Sequence, residues 1–277
     1  MTRLLVVLVM LLAGCQGDSA PPASPVASAE RSDFKILVFS KTAGFRHNAI
    51  PEGIRLLNAL GLENNFGVDA TEDASAFTAE NLAQYQAVVW LNTTGTVLEE
   101  DSQRQAFEQF IRRGGGYVGI HAAADTEYDW PFYEQLVGAY FKCHPLQQYA
   151  TLINEAPTEP SMRSIPLRWT IYEEFYSFQS NPRERVNVLM SIDESSYLQS
   201  PNTTNLPGSP SFPFGESGTM GDHPMVWCHD NLGGVAWYTA LGHGDNMYRL
   251  KSFKAHILNG VLTAARQTPA NCRVAKP

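Results

Sequence analysis

Residues 99–125 read EEDSQRQAFEQFIRRGGGYVGIHAAAD. Acids open the stretch at Glu99, Glu100 and Asp101, an apolar stripe follows at Ala106, Phe107, Phe110 and Ile111, and Arg112 and Arg113 close it. That order of charge complements a helix dipole, and Gly114-Gly115-Gly116 supplies the stop, so the pattern predicts a helix over 99–113. Tyr117-Val118-Gly119-Ile120-His121 is then too short and too apolar for anything but a buried strand. The same alternation recurs around it. Strands are predicted at 35–40 and 87–92, with a helix over 50–61 whose Ile50, Ile54, Leu57 and Leu60 share one face, and Gly61 as its stop. Further strands are predicted at 187–192 and 234–239, and a closing helix at 249–265. Helices alternating with buried strands imply parallel βαβ units, hence an α/β three-layer sandwich with a mainly parallel sheet.

In such sheets ligands bind beyond the carboxyl ends of the strands. That rule puts 41–48, 92–96 and 121–129 along one edge. Six of the seven histidines (His47, His121, His144, His223, His229, His243) fall at predicted strand ends or loops, and His256 falls in the last helix as a packing or surface residue. One histidine at a strand end is ordinarily a structural group. Several delivered to one sheet edge suit proton transfer or metal binding, because imidazole titrates near neutrality and donates a lone pair. No H-E-x-x-H, C-x-x-C or H-x-H spacing occurs, so a divalent metal is admitted and not specified. Walker A and G-x-G-x-x-G motifs are also missing, which leaves nucleotide cofactors without support.

Gly119-Ile120-His121-Ala122-Ala123-Ala124-Asp125 has the shape of a nucleophile elbow, a tight strand-to-helix turn that exposes one side chain. His121 stands where Ser or Cys would, which argues against acyl-enzyme chemistry. If a helix follows, Asp125 lies one turn on and could orient the imidazole. Arg46 and His47 in the polar loop after the first strand could bind an anion or a sugar. Glu173 and Glu174 lie among Tyr172, Phe175, Tyr176 and Phe178, a pattern that fits a sugar site and a core strand equally. Residues 195–224, rich in Pro and Gly, are expected to form a lid or site wall.

The 277 residues include 44% hydrophobic and 17% charged positions, which excludes disorder for the bulk of the chain. The net charge of −8 argues against nucleic acid as a partner. Residues 1–14 read as a signal peptide, with Arg3 ahead of the Leu4–Leu12 apolar run, and Leu12-Ala13-Gly14-Cys15 resembles a bacterial lipobox. The expectation is export, acylation of Cys15, and anchoring at a membrane, the outer membrane facing the periplasm, through an Ala/Ser/Pro-rich tether over 15–33. A domain over 34–267 and a tail over 268–277 complete the chain. Cys143, Cys228 and Cys272 cannot all pair; a Cys143–Cys228 bridge and buried thiols are both open.

Taken together, several stretches resemble the ThuA-like (trehalose-utilisation) family. They include 41–47 (KTAGFRH), 91–95 (LNTTG), 114–123 (GGGYVGIHAA), 129–131 (DWP) and 138–141 (GAYF). Farther on come 144–145 (HP), 222–224 (DHP), 227–229 (WCH) and 238–243 (YTALGH), so the resemblance runs in order over about residues 34–265. It implies a flavodoxin-like fold similar to the class I glutamine amidotransferases, with His121 in place of their cysteine and glutamine hydrolysis therefore not expected. Glu174 lies in the family's acidic-aromatic segment, where Glu173 replaces an Asp.

The resemblance further implies a small carbohydrate as substrate, through 3-keto sugars, and cleavage by proton abstraction and elimination. In that reading His121 is base or ligand, Asp125 orients it, Glu174 is an acid/base and His243 a catalytic partner. His47 and His144 would hold a metal, with Arg46, Asn92, Tyr176, His223 and His229 binding substrate. A non-catalytic carbohydrate-binding lipoprotein and a metal-dependent hydrolase of another class remain open beside it, as does the oligomeric state.

Overall fold

The computed structural model describes residues 33–199 and 218–273. The signal peptide, Cys15 and nearly all of the tether lie outside the described residues, as do most of the expected lid and residues 274–277. Eleven strands and five helices follow in chain order: β1 Phe34–Phe39, α1 Ile50–Glu63, β2 Phe66–Thr71, α2 Ala79–Leu82, β3 Ala87–Leu91, α3 Asp101–Arg112, β4 Gly116–Ile120 and α4 Pro131–Val137. They continue with β5 Phe141–Cys143, β6 Gln148–Asn154, β7 Arg168–Glu173, β8 Ser177–Phe178, β9 Asn187–Ile192, β10 Pro224–His229, β11 Ala236–Thr239 and α5 Lys251–Ala264.

The main sheet runs β2-β1-β3-β4-β11-β10-β9-β6-β7, and β5 pairs with β8 apart from it. From β2 to β11 every pairing is parallel. β3 and β4 are buried at every position, as expected of strands covered on both faces. The helices divide by side. Gly53 of α1 lies against Leu91, whereas Trp90, one residue earlier and on the opposite face, packs on Phe107 of α3 and Tyr133 of α4. Helix α5 joins α1's side: Gly260 lies so close to the Trp237 ring of β11 that a Cβ there would stand 2.6 Å from it. This is the three-layer sandwich, flavodoxin-like in its parallel half.

Helix α3 opens on a capping box of Glu100 and Gln103, and Gly114 at φ 102° ends it as the glycine stop implied. Helix α1 runs past Gly61, which is not its stop. Gly61 is packed on the Phe66 carbonyl, and the chain turns at Asn65, φ 56°.

From β10 onward the sheet turns antiparallel, β10, β9, β6 and β7 alternating in direction. Strands 148–154, 168–173 and 224–229 were not anticipated. Among the described residues the segments joining this wing carry no α-helix, and antiparallel neighbours need none. The disulfide also differs from the Cys143–Cys228 pairing considered above. Cys228 of β10 is bonded to Cys272, 44 residues on, and Cys143 is a buried thiol. A bridge over such a loop constrains the unfolded chain. Cys272→Ser should lower stability by about 2–4 kcal/mol, read as a fall in the urea midpoint that a reductant reproduces in the native protein. An unchanged midpoint in both would refute a structural role.

Candidate functional site

The parallel strands β1, β4 and β11 run in one direction, so the segments that follow them meet at one edge. Following β1, the loop delivers His47, whose carbonyl accepts from Ile50 N–H as α1 begins. His121 is the first residue after β4 and has φ 50°, the left-handed turn that an elbow requires; a 3-10 turn over His121–Ala124 succeeds it. His243 follows Gly242, φ 118°, past β11. Strand β7 points the same way as β11 after four reversals, and hands Glu174 to the same edge.

His47, His121, Glu174 and His243 converge there, one ligand atom from each lying within 4.8 Å of all the others. Glu174 is the hub. Its Oε2 is 3.3 Å from His121 Nε2 and 3.0 Å from His243 Nδ1, and its Oε1 is 3.1 Å from His144 Nδ1. His121 Nδ1 lies 2.7 Å from the Ala240 carbonyl. A carbonyl only accepts, so Nδ1 carries the hydrogen and neutral His121 turns its Nε2 lone pair toward Glu174 and His243 Nδ1, 3.3 Å away. The His47 ring stands edge-on to His121 and His243, at 4.9 and 5.0 Å between centroids, and its buried Nδ1 has no hydrogen-bond partner.

Burial, reinforced by the neighbouring imidazoles, pushes His47 down to about 2. Burial also lowers His121, against the pull of Glu174. For Glu174 burial would raise the carboxyl, but the imidazoles around it outweigh that and hold it well below the usual range. His243 is raised, because the hydrogen bond and charge of Glu174 overcome its desolvation. Two neutral imidazoles, a carboxylate and a third imidazole therefore face one point.

Such a donor set fits a divalent cation. Bonds of about 2.0–2.2 Å place ligand atoms about 2.8–3.6 Å apart around a tetrahedron or octahedron, and the Glu174–His121–His243 contacts span 3.0–3.3 Å.

His47, Glu174 and His243 of the cluster line a pocket of about 630 Å³ together with Asp125, His144, Tyr176, Phe45, Phe141 and Tyr172, while His121 is fully buried behind them; the size is usual for small-molecule sites, which span about 300–1,000 Å³. Asp125 does not orient His121. Its Oδ1 accepts from Tyr128 O–H at 2.7 Å, and burial raises its carboxyl above the ordinary value. The partners of His121 are Ala240 and Glu174, which no local spacing discloses. His144 stands outside the converging group, one step back on the other oxygen of Glu174.

Other expected site residues lie away from the pocket. Arg46 makes a bidentate exposed pair with Glu72. Asn92 is buried and donates to the Gly242 carbonyl, steadying the loop of His243. His223 Nε2 donates to the Tyr176 carbonyl and so fixes the ring that stacks on His121, centroids 4.2 Å apart. His229 pairs in register with Ala236, the first residue of β11, which puts it at the opposite edge of the sheet, bonded to Leu136 O. His256 is buried against Thr239, as a packing residue.

Glu173 was not assigned a role. Buried and pushed up to about 7 by that burial, it accepts the N–H of Glu174 and of Gly242 at 2.9 and 3.0 Å, tying two site segments together.

The family model described as ThuA, trehalose utilisation, matches residues 35–264. The chain belongs to the ThuA family. That places it in carbohydrate metabolism. Among solved structures, a ThuA-like protein from Bacteroides uniformis is 25% identical, with a TM-score of 0.66 over 86% of this chain and 94% of that one. A ThuA-like protein from Parabacteroides merdae is 18% identical, TM-score 0.63, over 88% and 92%. A cytoplasmic protein from Salmonella typhimurium is 14% identical, TM-score 0.57, over 83% and 99%. The last two likenesses are of fold alone. No curated protein sequence matches the chain significantly.

A cation must displace the proton from His243. Glu174 raises that imidazole above its ordinary value, so the proton is held more firmly than on a free histidine. Divalent-cation affinity should therefore climb with pH, up to about tenfold per unit for one displaced proton, and level off above the raised value. Calorimetric titrations with Zn²⁺ and Mn²⁺ between pH 5.5 and 8.5 measure this. No binding anywhere in that range would remove the cation from the site.

Proposed function

We propose that this ThuA-family protein is an enzyme that cleaves 3-keto-glycosides by proton abstraction and elimination, followed by hydration. The observation that carries the reading is the convergence of His47, His121, Glu174 and His243, three of which line a pocket that also presents a second, separately held carboxyl, Asp125. A cation held by the four would supply a Lewis acid for the C3 ketone oxygen.

With the ketone polarised, the C2 hydrogen is acidic. Asp125, raised by burial toward neutrality, takes that proton. The C2–H electron pair enters the C2–C3 enolate and then forms C1=C2 as the C1–O bond breaks. His144, braced by Glu174, hands a proton to the departing oxygen. Water then adds across C1=C2. His121 is assigned here as a ligand and no longer as the base, since its Nε2 is already directed into the cluster.

Asp125→Asn separates this chemistry from binding. It should slow exchange of the C2 hydrogen of a 3-keto-glucoside with deuterated water by about 10²–10⁴-fold, followed by NMR, while calorimetry shows the cation still bound. Exchange at the native rate in the variant would dismiss Asp125 as the base. Binding of a 3-keto-glucoside with no exchange and no released sugar in the native protein would favour a carbohydrate-binding protein instead.

We propose also that the chain is exported and held at the membrane through acylated Cys15. The apolar run before Leu12-Ala13-Gly14-Cys15 supports this, and so does the Cys228–Cys272 bridge, a bond of oxidising compartments. Cys15→Ser should move the protein from the membrane fraction to the soluble one; retention in the pellet would overturn the anchor.

A further inference from the structure

The floor of the pocket is polar and its mouth is not. Phe45, Leu146 and Tyr172 all line it, and they are 65%, 37% and 42% exposed. Tyr149, 68% exposed, packs against Tyr172 with ring centroids 5.2 Å apart. Single exposed apolar residues are ordinary, but four of them gathered at one opening form a patch with a purpose.

Strand geometry accounts for how two of these rings come there. β7 alternates strictly, with Trp169, Ile171 and Glu173 buried and Arg168, Thr170 and Tyr172 turned outward. Tyr149 faces Tyr172 directly across the β6–β7 ladder, and the next outward pair is Thr151 with Thr170, joined by a 2.9 Å hydrogen bond. The aromatic pair thus stands at the site end of an outer face whose next pair is polar. A cross-strand tyrosine pair stabilises a ladder by about 0.2–1 kcal/mol, which explains the Tyr149–Tyr172 contact and leaves Phe45 unexplained.

Phe45 comes from a different element, the loop after β1, and reaches the same pocket. Its backbone is pinned: Thr94 Oγ1 donates to the Phe45 carbonyl at 2.8 Å and accepts from Gly44 N–H at 3.2 Å. The ring then lies edge-on to His47, centroids 4.8 Å apart. A rigidly held, solvent-facing ring beside a polar centre is a pre-organised contact surface.

We infer that this collar of Tyr172, Tyr149 and Phe45 is a second subsite, a stacking platform for the ring of the departing unit, so that a ring-bearing leaving group is preferred to a small alkyl one. The inference rests on the 3-keto-glycoside reading of the floor. A pyranose or aryl ring presents an apolar face to the aromatics and keeps its hydroxyl rim for Gln147, which also lines the pocket. Asp125 and Glu174 at the floor, in a chain of net charge −8, disfavour a phosphorylated sugar.

Tyr172→Ala and Phe45→Ala, with Tyr172→Phe as the conservative control, test it against 3-keto-trehalose and methyl 3-keto-glucoside. Each alanine variant should lower the ratio of kcat/KM for the two-ring over the one-ring substrate by about tenfold, mainly through KM, and Tyr172→Phe should restore it. An unchanged ratio, with or without a general loss of rate, overturns the subsite. Should the native protein turn over neither keto sugar, the 3-keto reading fails by itself, and trehalose and p-nitrophenyl glucoside are titrated calorimetrically. Binding that weakens by about tenfold in the alanine variants upholds the platform; no binding, or binding indifferent to the variants, overturns it.

Discussion

A buried carboxylate is costly to desolvate, by several kcal/mol in a protein interior, unless its oxygens are occupied. Glu174 meets that demand with His243 on Oε2 and His144 on Oε1, while the Nε2 lone pair of His121 faces the same Oε2 and leaves a place there for a proton or a cation. The arrangement constrains all four groups at once. The carboxylate stays ionised, His243 is drawn toward its protonated form, and His121, locked by the Ala240 carbonyl, keeps its second nitrogen as a lone pair. The site is thus a set of acceptor atoms held together by a hub, and a proton or a cation is what such a set is built to receive.

The fold makes the hub possible through strand direction. His47, His121 and His243 arrive from parallel strands, which is the ordinary consequence of a doubly wound sheet. Glu174 arrives from the far end of the antiparallel wing, where the alternation of β10, β9, β6 and β7 restores the direction of β11. One strand fewer in that wing would have turned Glu174 to the other edge. His229 illustrates the penalty: it ends β10, which runs the other way, and it meets Leu136 O instead of the pocket.

Four of the five parallel strands were legible because they are continuous apolar runs set off by helical patterns and glycine stops; β2, the edge strand FGVDAT with its outer positions exposed, was not. Buried strands ending in histidines located the edge, and the small residues after Ile120 announced the elbow that His121 occupies at φ 50°. Of the wing only β9 was legible, as the apolar run 187–192; antiparallel neighbours need no periodic helix between them, and Glu173 and Glu174 among Tyr172, Phe175, Tyr176 and Phe178 fit a sugar site and a core strand equally. Both readings proved half right: alternate residues of β7 face each way. Partnerships across the chain were likewise out of reach. Asp125 was the near carboxyl to His121 in sequence, but Glu174 is the near one in space. The Cys228–Cys272 bridge depended on where the segment after α5 returns, which no cysteine spacing reveals.

The second buried acid explains why the first can be held so firmly. Glu173 turns into the protein as Glu174 turns into the pocket, the alternation of β7 carried one residue beyond its end. With one oxygen it accepts Glu174's own backbone N–H and with the other the N–H of Gly242, the residue before His243. The hub and one of its imidazoles are therefore fastened to a common post by backbone bonds that do not depend on what occupies the site. A second full charge so near Glu174 would oppose it, and burial moderates this by pushing Glu173 up to about 7. Two adjacent carboxyls of the same residue type thus divide the work by environment alone: one is kept ionised by imidazoles, the other is buried to brace the first.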